Sequence, residues 1–258
     1  MIVVFTDLDG TLLDHDSYSF EPARPALRLL AEGGIPLILA SSKTEAEMRP
    51  IAEAIGIDHP MIVENGAGIA NLPGHEAEAA NHYESLRAFL HDLPEDLTGL
   101  FSGFGDWSDE EVARKTGLPL SAARLARQRR FSEPGLFSGD ARQKAAFTRL
   151  VETAGYRAVQ GGRFLTLMPD TSKAERMATI VAHYRQVSDE DVHSIALGDA
   201  PNDLAMLEAA DIGVIIANPS HEALPVTERE RRGFILRSPK AGPAGWNHMI
   251  HQLVETGF

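Results

Sequence analysis

Short apolar runs alternate with longer amphipathic stretches in the N-terminal part of the chain. The apolar runs predict three buried strands, at Ile2–Thr6, 35–40 and Met61–Val63. Leucines at helical spacing predict a helix over 22–32. Thr44 and Glu47 form a capping-box pattern before a second helix, which runs through about Ile55. This part of the chain therefore alternates strand and helix.

The same alternation returns in the C-terminal part. A helix is predicted from Lys173 through about Tyr184, and two further apolar runs predict strands at 192–197 and Ile212–Ala217. Strands that alternate with helices imply right-handed crossovers and a parallel sheet of the α/β class. Ligands of such sheets bind beside the carboxyl ends of the strands, so the residues that follow each strand are candidates for a site.

The middle of the chain breaks this rhythm. A predicted helix over 83–92 is followed by an irregular, glycine-rich stretch over 93–137 and by a helix over 145–154. Two more strands are predicted, at Tyr156–Gln160 and 164–168. We therefore predict an inserted α+β domain over residues 84–168 and a core formed by residues 1–83 and 169–258.

The first strand ends in two carboxylates. Asp7 and Asp9 follow it in the run Asp-Leu-Asp-Gly-Thr, and the period of two along an extended chain directs both side chains to one side. Like charges held together repel, and burying them is costly. A hard divalent cation with oxygen ligands, Mg²⁺ above all, would offset that cost. The alternative is an Asp-rich turn that caps the next helix.

Polar side chains also follow the other strands or open the helices after them. Together they could supply oxygen ligands for one Mg²⁺, from Asp7, Asp9, Asp199 and Asp203. Ser41, Lys43 and Lys173 would surround an anion beside that cation, which suggests a phosphoryl group. Taken singly, each lysine could be solvated, and each Asp or Ser could cap a helix.

A carboxylate nucleophile would divide the slow hydrolysis of a phosphate monoester into two easier steps. Asp7, ionised and beside the metal, is the candidate nucleophile. Asp9 would protonate the leaving alcohol and later deprotonate the attacking water, which calls for a metal on Asp7 and a drier setting for Asp9. Ser41 would donate a hydrogen bond to the phosphoryl oxygens, and Lys173 would neutralise their developing charge.

Composition narrows the function classes. The 258 residues carry a formal net charge of −13, which disfavours non-specific binding to nucleic acid or to anionic membranes. The chain has no cysteine, which excludes disulfides and thiolate sites and fits a reducing compartment. Because the N-terminus has no basic region and no uncharged apolar stretch approaches the ~20 residues of a membrane helix, we expect a cytoplasmic protein.

Four of these segments together resemble the motifs of the haloacid dehalogenase-like phosphatase superfamily. They are Asp-Leu-Asp-Gly-Thr from Asp7, Ser-Ser-Lys from Ser41, Lys173, and Gly-Asp-Ala-Pro-Asn-Asp from Gly198. The insert between the second and third motifs resembles the large cap of the Cof-type, class IIB branch. This resemblance implies a Rossmann-like, doubly wound parallel sheet with an inserted α+β cap domain of type C2B.

Four shorter segments indicate a particular family within this superfamily. Ala-Ser-Ser-Lys-Thr, Val-Glu-Asn-Gly-Ala-Gly, the Gly-Gly-Arg-Phe turn and Gly-Pro-Ala-Gly-Trp-Asn are similar to the mannosyl-3-phosphoglycerate phosphatase family. That similarity implies a Mg²⁺-dependent phosphatase that converts mannosyl-3-phosphoglycerate, or a close glycosyl analogue, to mannosylglycerate, a compatible solute, through an aspartyl-phosphate. It also implies that Asp7, the backbone carbonyl of Asp9, and Asp199 bind the metal.

The substrate of that family carries a carboxylate and a sugar besides its phosphate. We assign contacts with such a small molecule to Ser42, Lys43, Asn65, Arg163 and Asn202. Arg163, in a glycine-flanked turn, would reach the carboxylate with its planar fork, unless it is an exposed hairpin arginine. The basic run over 124–130 either attracts the anionic substrate or is the solvated face of one helix. Trp246 either borders the site or packs in the core.

Other functions use the same features. A phosphatase for different small sugar phosphates would share all four motifs, and a sugar phosphomutase would share the core and the cap type but return the phosphoryl group to a sugar. A non-catalytic sugar-phosphate-binding regulator would not need the second acid, Asp9. The sequence leaves the sugar and the oligomeric state open.

Overall fold

The computed structural model describes residues 1–74, 76–220 and 222–256, without the side chains of residues 76–81. Its first elements are β1 (Ile2–Thr6), α1 (Arg24–Glu32), β2 (Leu37–Ala40), α2 (Glu45–Ile55), β3 (Met61–Val63) and β4 (Gly68–Ala70). The predicted capping box is confirmed, because the Thr44 side chain accepts from the Glu47 amide and the Glu47 carboxylate accepts from the Thr44 amide. The second strand begins later than predicted, since Pro36 has no N–H for the ladder.

The middle of the chain is more regular than its sequence indicates. It forms α3 (Glu76–His91), β5 (Phe101–Gly103), α4 (Asp109–Thr116), α5 (Leu120–Ala126), β6 (Glu133–Phe137), α6 (Ala141–Thr153), β7 (Tyr156–Gln160) and β8 (Leu165–Pro169). Two strands and two helices thus lie in the stretch predicted to be irregular. Pro134 and Gly135 conceal β6, because both residues are rare inside strands. We call the part from β5 to β8 the cap.

The C-terminal part forms α7 (Lys173–Val187), β9 (His193–Gly198), α8 (Leu204–Ala209), β10 (Ile212–Ala217), α9 (Glu228–Arg231), β11 (Ile235–Ala241) and α10 (Gly242–Thr256). The alternation of strand and helix predicted here is confirmed. No helix in the described ranges is both long enough and apolar enough to cross a membrane.

Within the described residues, seven strands form one sheet in the order β11-β10-β9-β1-β2-β3-β4, and β5-β6-β8-β7 form a second, antiparallel sheet. In the larger sheet every neighbouring pair is parallel except β3 and β4. β1 lies in its interior between β2 and β9. This arrangement confirms the predicted α/β class, the parallel core and the inserted α+β cap.

Helices cover both faces of the larger sheet. Val4 faces a cluster that includes Leu27 of α1 and Trp246 of α10, whereas Val3 faces a cluster that includes Ile180 of α7. Val3 and Val4 have no solvent exposure. Because both faces of β1 are buried, the run reads as continuously apolar, and the position of its carboxyl end is fixed by packing on both sides.

Trp246 packs in the core rather than at the rim of a site. It has no solvent exposure, and its indole N–H donates to Thr6 Oγ1 at 3.0 Å. The Thr6 hydroxyl in turn donates to the backbone carbonyl of Asp7 at 2.8 Å. α10 is therefore tied to the residue that precedes the first carboxylate.

The variant Trp246→Phe should lower the free energy of unfolding by about 1–3 kcal/mol, because it removes a buried hydrogen bond and some buried volume. Urea unfolding followed by far-UV circular dichroism measures this loss. Thr6→Val removes the same bond from the other side. The double variant should therefore lose less free energy of unfolding than the sum of the two single losses, whereas strictly additive losses would contradict the coupling.

Candidate active site

The parallel register places the ends of β1 and β9 side by side. Thr6 pairs with Leu197, and the Asp7 amide donates to the Leu197 carbonyl at 2.9 Å. Asp7 and Asp199 therefore leave adjacent strands at the same edge of the sheet. Asp203 returns to this edge in the single helical turn Pro201–Asp203.

Three carboxylates converge at this edge. Asp7, Asp199 and Asp203 each offer an oxygen, and these oxygens lie within 4.8 Å of one another. All three residues are buried. Among the described residues, this is the acidic group that could hold a metal ion.

Lys173 is the cation buried within this group. At the start of α7, its ammonium donates to Asp7 Oδ1 and to Asp203 Oδ1, both at 2.7 Å. Burial lowers the pKa of Lys173, but the charges of Asp203 and Asp7 outweigh burial and raise that pKa above its ordinary value. Since three carboxylates face one ammonium, two negative charges stay uncompensated when all three are ionised.

Burial and the surrounding charges together change the protonation of Asp7. Burial raises the pKa of its carboxyl to about 8, and the negative charge of Asp203 adds to the rise, while Lys173 opposes it. A proton on Asp7 would make it a poor nucleophile near neutral pH. A divalent cation at the three oxygens would match the two uncompensated charges and favour the ionised form.

Asp199 is held in place through both of its carboxylate oxygens. Thr11 Oγ1 donates to Oδ1 and Asn218 Nδ2 donates to Oδ2, each at 2.7 Å. Gly10 lies against this contact with φ at +82°, and a Cβ atom there would come within 2.5 Å of Asn218 Nδ2 and 2.9 Å of Asp199 Oδ2. The glycine of the Asp-x-Asp-Gly run therefore permits the turn and also leaves room for Asn218.

Asp9 stands apart from the three converging carboxylates. Its Oδ2 accepts from Lys43 Nζ at 2.6 Å, and its Oδ1 is buried without a hydrogen-bond partner among the described residues. The predicted drier setting for Asp9 is wrong, since its side chain is 37% exposed against 10% for Asp7.

The remaining predicted residues line one large cavity or lie beside it. A cavity of about 820 Å³ between the larger sheet's carboxyl edge and the cap is lined by Ser42, Lys43, Asn65, Arg163 and Asn202, among others. Asn202 Nδ2 donates to Asn65 Oδ1 at 3.0 Å. Ser41 is buried at the end of β2, where its Oγ accepts from the Lys43 amide at 3.3 Å.

Arg163 and the arginines of the basic run have partners within the protein. Arg163 is exposed at the cavity rim, where its guanidinium donates to the Lys115 carbonyl. The basic run is not the face of one helix, because α5 ends at Ala126. Its members contact different acids: Arg124 and Arg127 pair with Asp109, Arg129 with Glu64, and Arg130 with Glu45. These pairs neutralise most of the charge that the run presents.

The donor set suits a hard cation. Asp7, Asp199 and Asp203 offer only oxygen atoms, as Mg²⁺ prefers, and their three carboxylates face a single ammonium, that of Lys173. The Asp9 side chain is not part of the converging group. A metal contact from Asp9 would therefore come from its backbone carbonyl.

Sequence reasoning missed two residues that hold the site together, Thr11 and Asn218. Both could have been found by the rule that identified the others, because each follows a strand of the larger sheet. It also gave no role to Glu64, the first residue after β3, whose side chain is 1% exposed.

Comparison with known proteins places the chain among phosphatases and related hydrolases. The sequence profile of a family described as haloacid dehalogenase-like hydrolase matches residues 4–92 and 144–229. A glucosyl-3-phosphoglycerate/mannosyl-3-phosphoglycerate phosphatase of Methanococcoides burtonii is 36% identical, and the match covers 98% of this chain and 97% of that protein. A phosphatase of the same name from Persephonella marina is 32% identical with the same coverage.

Solved structures share the fold at much lower sequence identity. A haloacid dehalogenase-like hydrolase from Bacteroides thetaiotaomicron superposes with a TM-score of 0.64 at 19% identity, over 97% of this chain and 98% of that one. The sucrose-phosphatase of Synechocystis, in complex with sucrose and phosphate, has a TM-score of 0.60 at 15% identity, over 100% and 98%. Both comparisons extend over the core and the cap.

Stability of the metal-free protein should fall as pH rises. Between about pH 4 and pH 8 the folded state keeps a proton on Asp7 that the unfolded state has released, so this group contributes less stability at each higher pH. One proton limits the slope to about 1.4 kcal/mol per pH unit. Denaturant unfolding in EDTA at several pH values measures it. Asp7→Asn cannot ionise and should give a flatter profile, whereas parallel profiles for the two proteins would contradict this assignment.

Proposed function

Because the chain belongs to the haloacid dehalogenase-like hydrolase family, we propose that it removes the phosphate of a glycosyl-3-phosphoglycerate, mannosyl or glucosyl, and releases the glycosylglycerate. The chemical half of the proposal is supported by the buried group of Asp7, Asp199, Asp203 and Lys173 beside a large cavity. The substrate is supported by relatives of that name, which match nearly the whole chain, cap included.

In the first step a carboxylate oxygen of Asp7 attacks phosphorus, and a new P–O bond forms as the ester bond breaks. Asp9 gives its proton to the departing oxygen. In the second step Asp9 takes a proton from water, whose oxygen attacks phosphorus and breaks the bond to Asp7. The partial exposure of Asp9 gives both the leaving alcohol and the water access to it. Because Asp9 is not in a drier setting, the different proton affinities of the two acids would have to come from the metal on Asp7.

The surrounding residues stabilise the charge that develops on the phosphoryl oxygens. Ser41 donates a hydrogen bond, and Lys173 supplies fixed positive charge. Mg²⁺, held by Asp7, Asp199, Asp203 and the backbone carbonyl of Asp9, would supply further positive charge and keep Asp7 ionised. Asp203 also positions neighbouring groups. Its Oδ1 accepts a hydrogen bond from Lys173, and its Oδ2 accepts from the Ala200 amide at 3.1 Å.

Substrate binding is assigned to the polar residues of the cavity wall: Ser42, Lys43, Asn65, Asn202 and Arg163. Arg163 would turn from the Lys115 carbonyl to the substrate carboxylate. The proposed division of the chain is a catalytic domain of residues 1–83 and 169–258 and an inserted domain of residues 84–168, which contains most of the cap. The proposal places the reaction in the cytoplasm, which suits a cysteine-free chain.

Phosphate release from a substrate panel tests the function. With Mg²⁺ present, kcat/KM for mannosyl- or glucosyl-3-phosphoglycerate should exceed that for hexose phosphates by at least about 10⁴-fold, since a site built for the carboxylate leaves polar groups unpaired with a substrate that lacks it. A higher kcat/KM for hexose phosphates would contradict the proposal that glycosyl-3-phosphoglycerate is the substrate. Transfer of labelled phosphoryl from a bisphosphate to a sugar, in place of release to water, would identify a phosphomutase.

The variant Asp7→Asn should abolish turnover, with kcat reduced by roughly 10⁴-fold or more, because an amide oxygen is a far weaker nucleophile at phosphorus. The fold should survive, since the isosteric amide keeps the volume and relieves carboxylate repulsion. Glu32→Gln, the same change at an exposed position of α1, is the matched control and should turn over at the wild-type rate. Wild-type turnover by Asp7→Asn would exclude Asp7 as the nucleophile.

A further inference from the structure

Glu64 is a buried carboxylate of the larger domain whose partners all belong to the cap. It lies directly after β3 and is 1% exposed. Its Oε1 accepts from the Arg130 amide at 2.8 Å, and its Oε2 accepts from the amides of Phe131 at 3.3 Å and Ser132 at 2.8 Å. Ser132 Oγ donates to Oε2 as well, at 2.7 Å.

Arg129 completes this contact. Its Nε lies 3.2 Å from Glu64 Oε2, and the side chain is only 7% exposed. The Arg129 guanidinium also donates to Ser132 Oγ at 2.7 Å and reaches the backbone carbonyl of Ser42 at 3.5 Å. The Glu64 carboxylate thus contacts each residue of a cap loop, 129–132, and holds that loop against the core. We call this contact the Glu64 joint.

An apolar contact lies beside the joint. Phe131, a cap residue, is 3% exposed and belongs to the hydrophobic cluster of the core. Its ring lies against Gly68 of β4, where a Cβ atom would come within 2.3 Å of the ring. The cap loop is therefore held by charge-assisted hydrogen bonds and by burial of an aromatic ring at one place.

The backbone at Glu64 connects this joint to the substrate cavity. The Glu64 amide donates to the Lys43 carbonyl and the Asn65 amide donates to the Ser41 carbonyl, both at 2.8 Å. The turn also reaches the third motif, because Thr171 Oγ1 donates to the Gly66 carbonyl at 2.7 Å. The turn 64–66 therefore contacts the loops that carry the predicted substrate ligands and the buried lysine.

This turn is strained. Glu64 and Asn65 both have positive φ, at 52° and 61°, although neither is a glycine. Such a backbone persists only where its surroundings hold it. With the cap seated, the amides of residues 130–132 hold the Glu64 side chain, and with it the backbone that presents Asn65 to the cavity.

We propose that Glu64 is a positioning residue that couples seating of the cap to the geometry of the substrate-binding loops. If the cap moved away, the carboxylate and three backbone amides would lose their partners together, so the joint favours the seated cap. Asn65 and Ser42, which are assigned to substrate binding and not to the chemical step, then take their places only when the cap encloses the cavity. In its link to a particular substrate, the inference rests on the proposed function.

The position of the cap can be measured without any substrate. The chain has no cysteine, so Arg28→Cys on α1 and Arg149→Cys on α6, both exposed, allow specific attachment of a fluorescent donor and acceptor. Introducing Glu64→Gln into this labelled protein should shift the distribution of energy-transfer efficiencies to lower values. The matched control is Glu45→Gln, which breaks a half-exposed core–cap pair with Arg130 and should leave the distribution near that of the parent.

Kinetics separate positioning from a structural role. Glu64→Gln should lower kcat/KM for glycosyl-3-phosphoglycerate by about ten- to a hundredfold, as expected for loss of a charged hydrogen-bond network. Its turnover of p-nitrophenyl phosphate, which does not reach the cap, should change by less than about twofold, because the core chemistry is intact. Ser132→Ala removes the hydroxyl that donates to Glu64 and leaves every core residue unchanged. It should lower kcat/KM for glycosyl-3-phosphoglycerate by a smaller factor than Glu64→Gln does.

The outcomes decide between the two claims. Three outcomes would each contradict the proposed role of Glu64. They are equal losses of kcat/KM on both substrates, no loss on either substrate, and an energy-transfer distribution that Glu64→Gln leaves unchanged. A wild-type protein that does not hydrolyse glycosyl-3-phosphoglycerate would overturn the proposed function, and the fluorescence measurement would still decide whether Glu64 seats the cap.

Discussion

The carboxylates of Asp7, Asp199 and Asp203 repel one another at a point that solvent barely reaches. Lys173 compensates part of this charge, but burial, together with the negative charge of Asp203, keeps the pKa of Asp7 raised. An arrangement that is unfavourable by itself is maintained because the larger sheet forces it. β1 and β9 are adjacent and parallel, so their carboxyl ends, and the acids that follow them, have no other place to lie.

The rest of the core can be understood as support for that edge. Thr11 and Asn218 fix both oxygens of Asp199, and Gly10 makes room for one of these contacts. Behind the site, Trp246 ties α10 to Thr6. The uncompensated negative charge would be matched by a hard cation, and that cation would in turn meet the negative charge of a phosphate ester at a fixed place without rearrangement of the protein.

Chemistry and selectivity are divided between the two parts of the chain. In the proposed function the core contributes the acids and Lys173 that would act on a phosphate ester, while the cap closes one side of the cavity that would hold a glycosylated substrate. The Glu64 joint lies where these parts meet, and in it backbone amides hold a buried carboxylate, beside the more exposed Glu45–Arg130 pair. Such a contact depends on the direction of its donors, so it specifies one position of the cap better than surface charges do.

The sequence alone determined the α/β core, because apolar runs of strand length alternate with helical patterns and each run ends in a chemically distinctive group. It therefore identified Asp7, Asp199, Asp203 and Lys173, whose convergence follows from sheet order. Only the tertiary structure decided the environment of Asp9 and the partners of Arg129 and Glu64, because these depend on contacts between segments far apart in the chain. The strands β5 and β6 were hidden for a related reason: Gly103, Pro134 and Gly135 carry no strand signal, and pairing with neighbouring strands overrides their local preference.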